Sequence, residues 1–162
     1  MKISLTLNGV KTVFEAHPED SLMKTLHKNG CTSVKSGCQG GFCGTCTVLF
    51  DDKPVASCKM PTGLAKDAHI VTLESFSHTD DYKIIMDGFE KAGIKLCGYC
   101  NAGKIFAAYQ IMKTIKNITK EEILEQIKNL SLCCTDNETL ANGIIQAIKL
   151  KTKKIKRITS NE

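Results

Sequence analysis

The chain has 162 residues, room for one domain or two small ones. Its 42% hydrophobic and 24% charged residues are ordinary for a globular protein, and no segment approaches the roughly 20 apolar residues of a membrane helix. The net charge of +5 is mild and sits largely at Lys149, Lys151, Lys153, Lys154, Lys156 and Arg157, which read as a solvated helix end and a frayed basic tail (151–162) without calling for nucleic acid.

In chain order, ISLTLNGVKTVFEA places Ile3, Leu5 and Leu7 on one face before Asn8-Gly9, and Val10 and Phe14 after it, a hairpin pattern. A short helix follows, capped at Asp20 or Ser21, with Leu22 and Leu26 on one face and Gly30 at its end. TVLF, PVAS and HIVTL supply three more short strands. Two strands, a helix and further strands form the order of a β-grasp domain over residues 1–76.

After about residue 78 the period becomes helical. Tyr82, Ile85, Met86 and Phe89 form one stripe, closed by Gly93, and Ile105, Ala108, Tyr109 and Met112 a second. Thr119 with Glu122, and Thr135 with Glu138, have the spacing of capping boxes that open two more helices. Residues 79–150 therefore read as a four-helix domain. The fold class expected is α+β. These stripes are core patterns and carry no functional weight.

The N-terminal stretch is too short and too alternating for a secretory signal, which leads to a cytoplasmic expectation. In that reducing setting nine cysteines, an odd number, point to metal or redox chemistry rather than to a disulfide framework. The four histidines (His17, His27, His69, His78) stand in no motif. No Ser/His/Asp grouping, P-loop or dinucleotide fingerprint is present, and no substrate pocket is indicated.

GCQGGFCGTCTVLFDDKPVASC spaces Cys38, Cys43 and Cys46 as C-x4-C-x2-C, with Cys58 on a separate segment. That is the spacing of plant-type [2Fe-2S] ferredoxins. A loop wrapping a small cluster must turn tightly and approach it with bare backbone, whose N–H groups donate to sulfur. Gly37, Gly40, Gly41 and Gly44 suit that task and are the candidate cofactor-binding glycines. A zinc site usually pairs two C-x2-C knuckles and has no use for the glycine-rich loop.

KLCGYCNAG adds Cys97 and Cys100 at the start of the second bundle helix, and the doublet Cys133-Cys134 precedes the last one. Two antiparallel helix pairs would bring those starts together, so the four thiols are candidate ligands of one site. A four-cysteine site, an incomplete or hybrid site, and zinc or no metal all remain open. Cys31 is left over and reads as a small buried or half-buried residue.

From ISLTLNGV to about Leu150 the chain resembles the iron–sulfur small subunit of the molybdenum hydroxylases, a family that includes xanthine dehydrogenases, aldehyde oxidoreductases and carbon monoxide dehydrogenases. The resemblance implies a β-grasp domain and a four-helix domain with one [2Fe-2S] cluster each. It also implies electron transfer between a molybdopterin-binding and a flavin-binding subunit, with molybdopterin and FAD held only by those partners. The second motif departs from the family pattern, which ends in cysteine, arginine, cysteine, threonine. Leu132 occupies the first cysteine position, Cys133 the arginine position and Cys134 the second cysteine position. Leu96 stands where the family has a glutamine that contacts the partner's pterin, and Asn101, Ala102 and Lys104 replace a threonine, a proline and a methionine. A stand-alone two-cluster carrier or assembly protein and a redox-sensing nucleic-acid binder are the alternatives.

Overall fold

The computed structural model describes residues 1–114 and 117–161. Strands β1 (Lys2–Leu7) and β2 (Val10–Glu15) pair antiparallel with Leu7 opposite Val10. Asn8 and Gly9 take φ of 51° and 85°, the left-handed pair that a two-residue hairpin turn needs. Strands β3 (Thr47–Phe50), β4 (Lys53–Ala56) and β5 (His69–Val71) complete a five-stranded sheet of order β2-β1-β5-β3-β4. β5 runs parallel to β1 and antiparallel to β3.

Helix α1 (Leu22–Lys28) lies across this sheet, and Ser21 caps it by accepting the Lys24 amide at 3.3 Å. Its buried Leu22 and Leu26 meet Leu5, Phe14, Val48 and Ile70, the β-grasp core. Cys31 is 4% exposed in the same core, a buried thiol apart from both ligand groups.

The helices α2 (Leu73–Phe76), α3 (Asp80–Lys91), α4 (Asn101–Thr114), α5 (Lys120–Ile127) and α6 (Asn137–Thr159) build the second half. Along β3 successive side chains point to opposite faces, so Val48 joins the first core while Leu49 joins the helical one. The shared strand fixes the two halves against each other. α4 packs on β3 and β4 as well as on α3, α5 and α6, so its burial extends round the helix to Phe106 and Ile111, beyond the expected stripe. α3 lies along α6, and Gly88 lets the backbones approach closely at Ala147.

Two expectations change. Thr119 and Glu122 do form a capping box, but α6 is capped by Asp136, whose carboxylate accepts the Thr139 amide at 2.7 Å and its hydroxyl at 3.0 Å. A carboxylate facing the positive end of the helix dipole is the stronger partner than the Thr135 hydroxyl. The basic segment is not a frayed tail either, because α6 continues to Thr159. Lys151 and Lys154 pair with Asp81 and Asp80 at the start of α3, at 3.0 and 2.8 Å. Glu162, the last residue of that segment, lies outside the described residues.

Glu74 ties the loop after α1 to the helical half: its carboxylate accepts the Ser33 amide at 2.7 Å and the Ser33 and Thr72 hydroxyls at 2.5 Å. Burial opposes its ionisation, yet these donors hold the carboxyl below its ordinary value. A carboxyl lowered on folding stabilises above its unfolded pKa, about 4.3, and that contribution is lost as pH falls through the folded value. Glu74→Gln should therefore lower Tm near neutral pH, and the gap to the wild type should close on acidification. A gap that stays constant down to acid pH would show that the charge plays no part.

Candidate metal centres

The first group of thiols lies on the loop between α1 and β3 and on the turn after β4. Gly37 is packed so closely that a Cβ there would fall 2.8 Å from the Cys43 Sγ and 2.7 Å from the Thr45 hydroxyl. The chain turns back through Gly41 and Gly44, at φ of 86° and 81°. The Cys38 Sγ accepts the amides of Gly40 and Cys43, both at 3.3 Å, and the Cys43 Sγ accepts the Cys38 amide at 3.4 Å. Burial resists ionisation of Cys38, but the amides of Cys43, Phe42 and Gly40 bring its thiol down to about 6. Cys58 is the counterpart: burial and the adjoining Cys46 thiol push it up to about 11. Cys46 is buried, and Cys43 also touches the Thr45 hydroxyl at 3.1 Å.

The second group is tighter. The Sγ atoms of Cys97, Cys100, Cys133 and Cys134 all lie within 4.8 Å of one another. Cys97 stands 3.8 Å from Cys133, Cys100 stands 3.7 Å from Cys134, and the doublet sulfurs are 3.6 Å apart. Neighbouring side chains on a regular backbone diverge, but Cys134 takes a φ of 75°, and this left-handed residue turns the chain so that both thiols enter the group. Leu132 points outward and is 64% exposed. The Cys97 thiol falls to about 6 beside Cys134 and the amides of Tyr99 and Cys100, whereas Cys134 rises to about 12 against Cys97. Four sulfurs so close hold negative charge poorly by themselves, which is the condition a cation relieves.

The two groups adjoin. Gly44, between Cys43 and Cys46, meets Gly103, three residues after Cys100: a Cβ on Gly103 would lie 2.8 Å from the Gly44 Cα. The Tyr99 hydroxyl donates to the Ser36 carbonyl across the same seam. Sequence reasoning found the cysteines but missed this contact. It named Lys104 only as a departure from the family pattern; the residue is 1% exposed, with its Nζ 3.2 Å from the Cys100 Sγ and 2.8 Å from the Ser131 carbonyl. The signal was present, since a lysine one helical turn after a candidate ligand faces the same side. Leu96 packs against the helical core, and Asn101 accepts the Gly98 amide at 3.0 Å.

Residues 5–71 match the family described as a 2Fe-2S iron–sulfur cluster binding domain, and residues 72–149 match a [2Fe-2S] binding domain. The protein is therefore one that carries two [2Fe-2S] clusters. The residues suit them: the second site brings four thiols within 4.8 Å of one another, and the first loop aims main-chain N–H groups at sulfur and leaves no room for a side chain at Gly37.

The nicotinate dehydrogenase small FeS subunit of Eubacterium barkeri is 36% identical over 134 residues, 82% of this chain and 85% of that one. The xanthine dehydrogenase iron–sulfur-binding subunit of Escherichia coli O157:H7 is 30% identical, across 92% of this chain and 95% of its own. Among solved structures, a chain of quinoline 2-oxidoreductase from Pseudomonas putida 86 superposes with a TM-score of 0.83 at 30% identity, covering 94% of this chain and 96% of that one. The chain belongs to the iron–sulfur small-subunit family of the molybdenum hydroxylases, and the resemblance read from its motifs holds. Its relatives are subunits of oxidoreductases. Among the described residues no helix is long and apolar enough to cross a membrane.

Proposed function

We propose that this chain relays electrons between a molybdopterin-binding subunit and a flavin-binding subunit of a cytoplasmic hetero-oligomer, with molybdopterin and FAD confined to those partners. Cys38, Cys43, Cys46 and Cys58 would hold one cluster on the ferredoxin-like unit (1–76). Cys97, Cys100, Cys133 and Cys134 would hold the other on the helical unit (79–150). Each cluster supplies reversible one-electron chemistry. The observation that carries the reading is the close backbone approach of the first cysteine loop, at Gly44, to the first turn of α4, at Gly103, three residues after Cys100. The residues do the rest: amides of the 38–43 loop donate to sulfur, and the sheet and α4 hold the sites at a fixed separation. Phe42, Tyr99 and Leu132, all exposed beside the candidate ligands, make an apolar rim suited to a partner subunit. In this reading the chain carries electrons and has no substrate site of its own.

Cys43→Ser tests the first site. The purified full chain should lose about half its iron and acid-labile sulfide, and one of two EPR signals after anaerobic reduction, while the helical half keeps its circular dichroism. Full iron and an unchanged EPR spectrum would overturn the assignment. The altered residues Leu96, Asn101, Ala102 and Lys104 favour a second reading, a stand-alone two-cluster carrier. Co-expression with the neighbouring genes separates the two: a hydroxylase subunit co-purifies with larger flavin and molybdopterin chains, and a carrier stays alone.

A further inference from the structure

Lys104 is the only charged side chain among the described residues that is fully buried. A buried ammonium is costly unless an anion and hydrogen-bond acceptors surround it. None of the carboxylate ion pairs among the described residues includes it. Its partners are the Cys100 Sγ at 3.2 Å and the Ser131 carbonyl at 2.8 Å. Cys100 lies just before α4, and Lys104 is one turn inside that helix, so the side chain runs back along the helix to the sulfur. Ser131 belongs to the loop that delivers the doublet, so the same ammonium spans both arms of the second site.

The anion that compensates Lys104 is thus the site itself. Two ferric irons, two sulfides and four thiolates sum to a double negative charge, and reduction adds one more. A positive charge fixed against one of those thiolates favours the more negative state. Low local dielectric makes the preference large, because neither partner is screened by water on the helix side. A lysine also differs here from a neutral donor: an amide would share a proton with sulfur, whereas the ammonium brings a whole charge to the same point.

We propose that Lys104 is the built-in counter-charge of the second cluster, a positioning residue whose fixed positive charge raises that cluster's reduction potential. The proposal rests on the four-cysteine reading of the second site. It biases the relay, since the charge shifts a shared electron towards the site beside Lys104. The first site, whose sulfurs are met by neutral amides and by the Thr45 hydroxyl, has no cation in the equivalent place among the described residues.

The test is an anaerobic, EPR-monitored redox titration of the purified full chain with dithionite, reading both clusters in one sample. Lys104→Met removes the charge and keeps an unbranched side chain of similar length; Lys104→Gln keeps a donor without the charge. In both variants the reduced-to-oxidised ratio of the second cluster at fixed potential should fall at least tenfold, about 59 mV for a one-electron couple. The first cluster should stay at its wild-type midpoint and serve as the internal reference. An unchanged second midpoint, or equal shifts of both, would overturn the proposal. So would loss of the second cluster from both variants, which would make Lys104 a structural strut; if only the Met variant fails to load, the Gln variant decides by the same criteria. A wild-type chain with a single EPR-active cluster would instead defeat the reading of the second site, and that result precedes any substitution.

Discussion

Cys133→Ala is expected to leave the purified chain with about half of its iron and with the EPR signal of the first cluster alone. The Cys133 Sγ stands 3.8 Å from Cys97 and 3.6 Å from Cys134, inside the group of four. Iron takes thiolate and gains nothing from a methyl group, and no fifth thiol is near, since Cys31 is buried in the other core. Leu132 cannot substitute, because it faces outward. The control is Cys31→Ala, which should keep both clusters and cost only about 1 kcal/mol, as expected for trimming a small buried side chain. A Cys133→Ala protein with full iron and both signals would make Cys133 a bystander and place the fourth ligand elsewhere.

Gly88→Ala should lower stability by roughly 2 kcal/mol, which for a chain of this length is a fall in Tm of about 4–8 °C. Two effects compete. Alanine is the better helix former by up to about 1 kcal/mol, but its Cβ would sit 2.5 Å from the Ala147 amide nitrogen and 2.7 Å from its Cα. Those atoms are backbone of α6, so relief requires moving one helix away from the other, and the steric term wins. Gly143→Ala provides the contrast, since its nearest neighbours are the Ile94 Cδ1 at 2.7 Å and the Phe89 Cδ1 at 2.9 Å. The Ile94 tip can turn aside and the buried Phe89 ring needs only a small shift, so this variant should cost less than Gly88→Ala. Both melts can be followed by circular dichroism on matched, fully loaded samples. Equal effects of the two substitutions would contradict the close crossing of α3 and α6.

Local signals carried much of the architecture. The Asn8-Gly9 turn, the Ser21 cap and the Thr119–Glu122 box each depend on residues a few positions apart, and each is where the sequence implies. The cysteine groups were legible for another reason: metal chemistry demands several thiols in one place, and few other arrangements explain so many. What spacing could not give was orientation. That Cys133 turns inward while Leu132 turns outward depends on the left-handed conformation of Cys134, a residue type that seldom adopts it. The length of α6 was missed because its last turns are polar, and their support comes from Asp80 and Asp81 on a helix far away in sequence. Lys104 was noticed only as a substitution. Its burial follows from α4 being enclosed on several sides, which an amphipathic stripe does not reveal.

The seam at Gly44 and Gly103 bears on how such a protein can be recombined. Two units that match separate families suggest cassettes that could be exchanged at a boundary near residue 72. The seam makes that exchange conditional. The loop at Gly44 and the helix start at Gly103 each occupy the space where the other would place a side chain, so a graft must bring a bare main chain at both positions even if the foreign unit folds perfectly alone. A side chain on either face would pry the units apart beside both groups of thiols. The pair therefore behaves as one component of the device, spread over two units that look interchangeable.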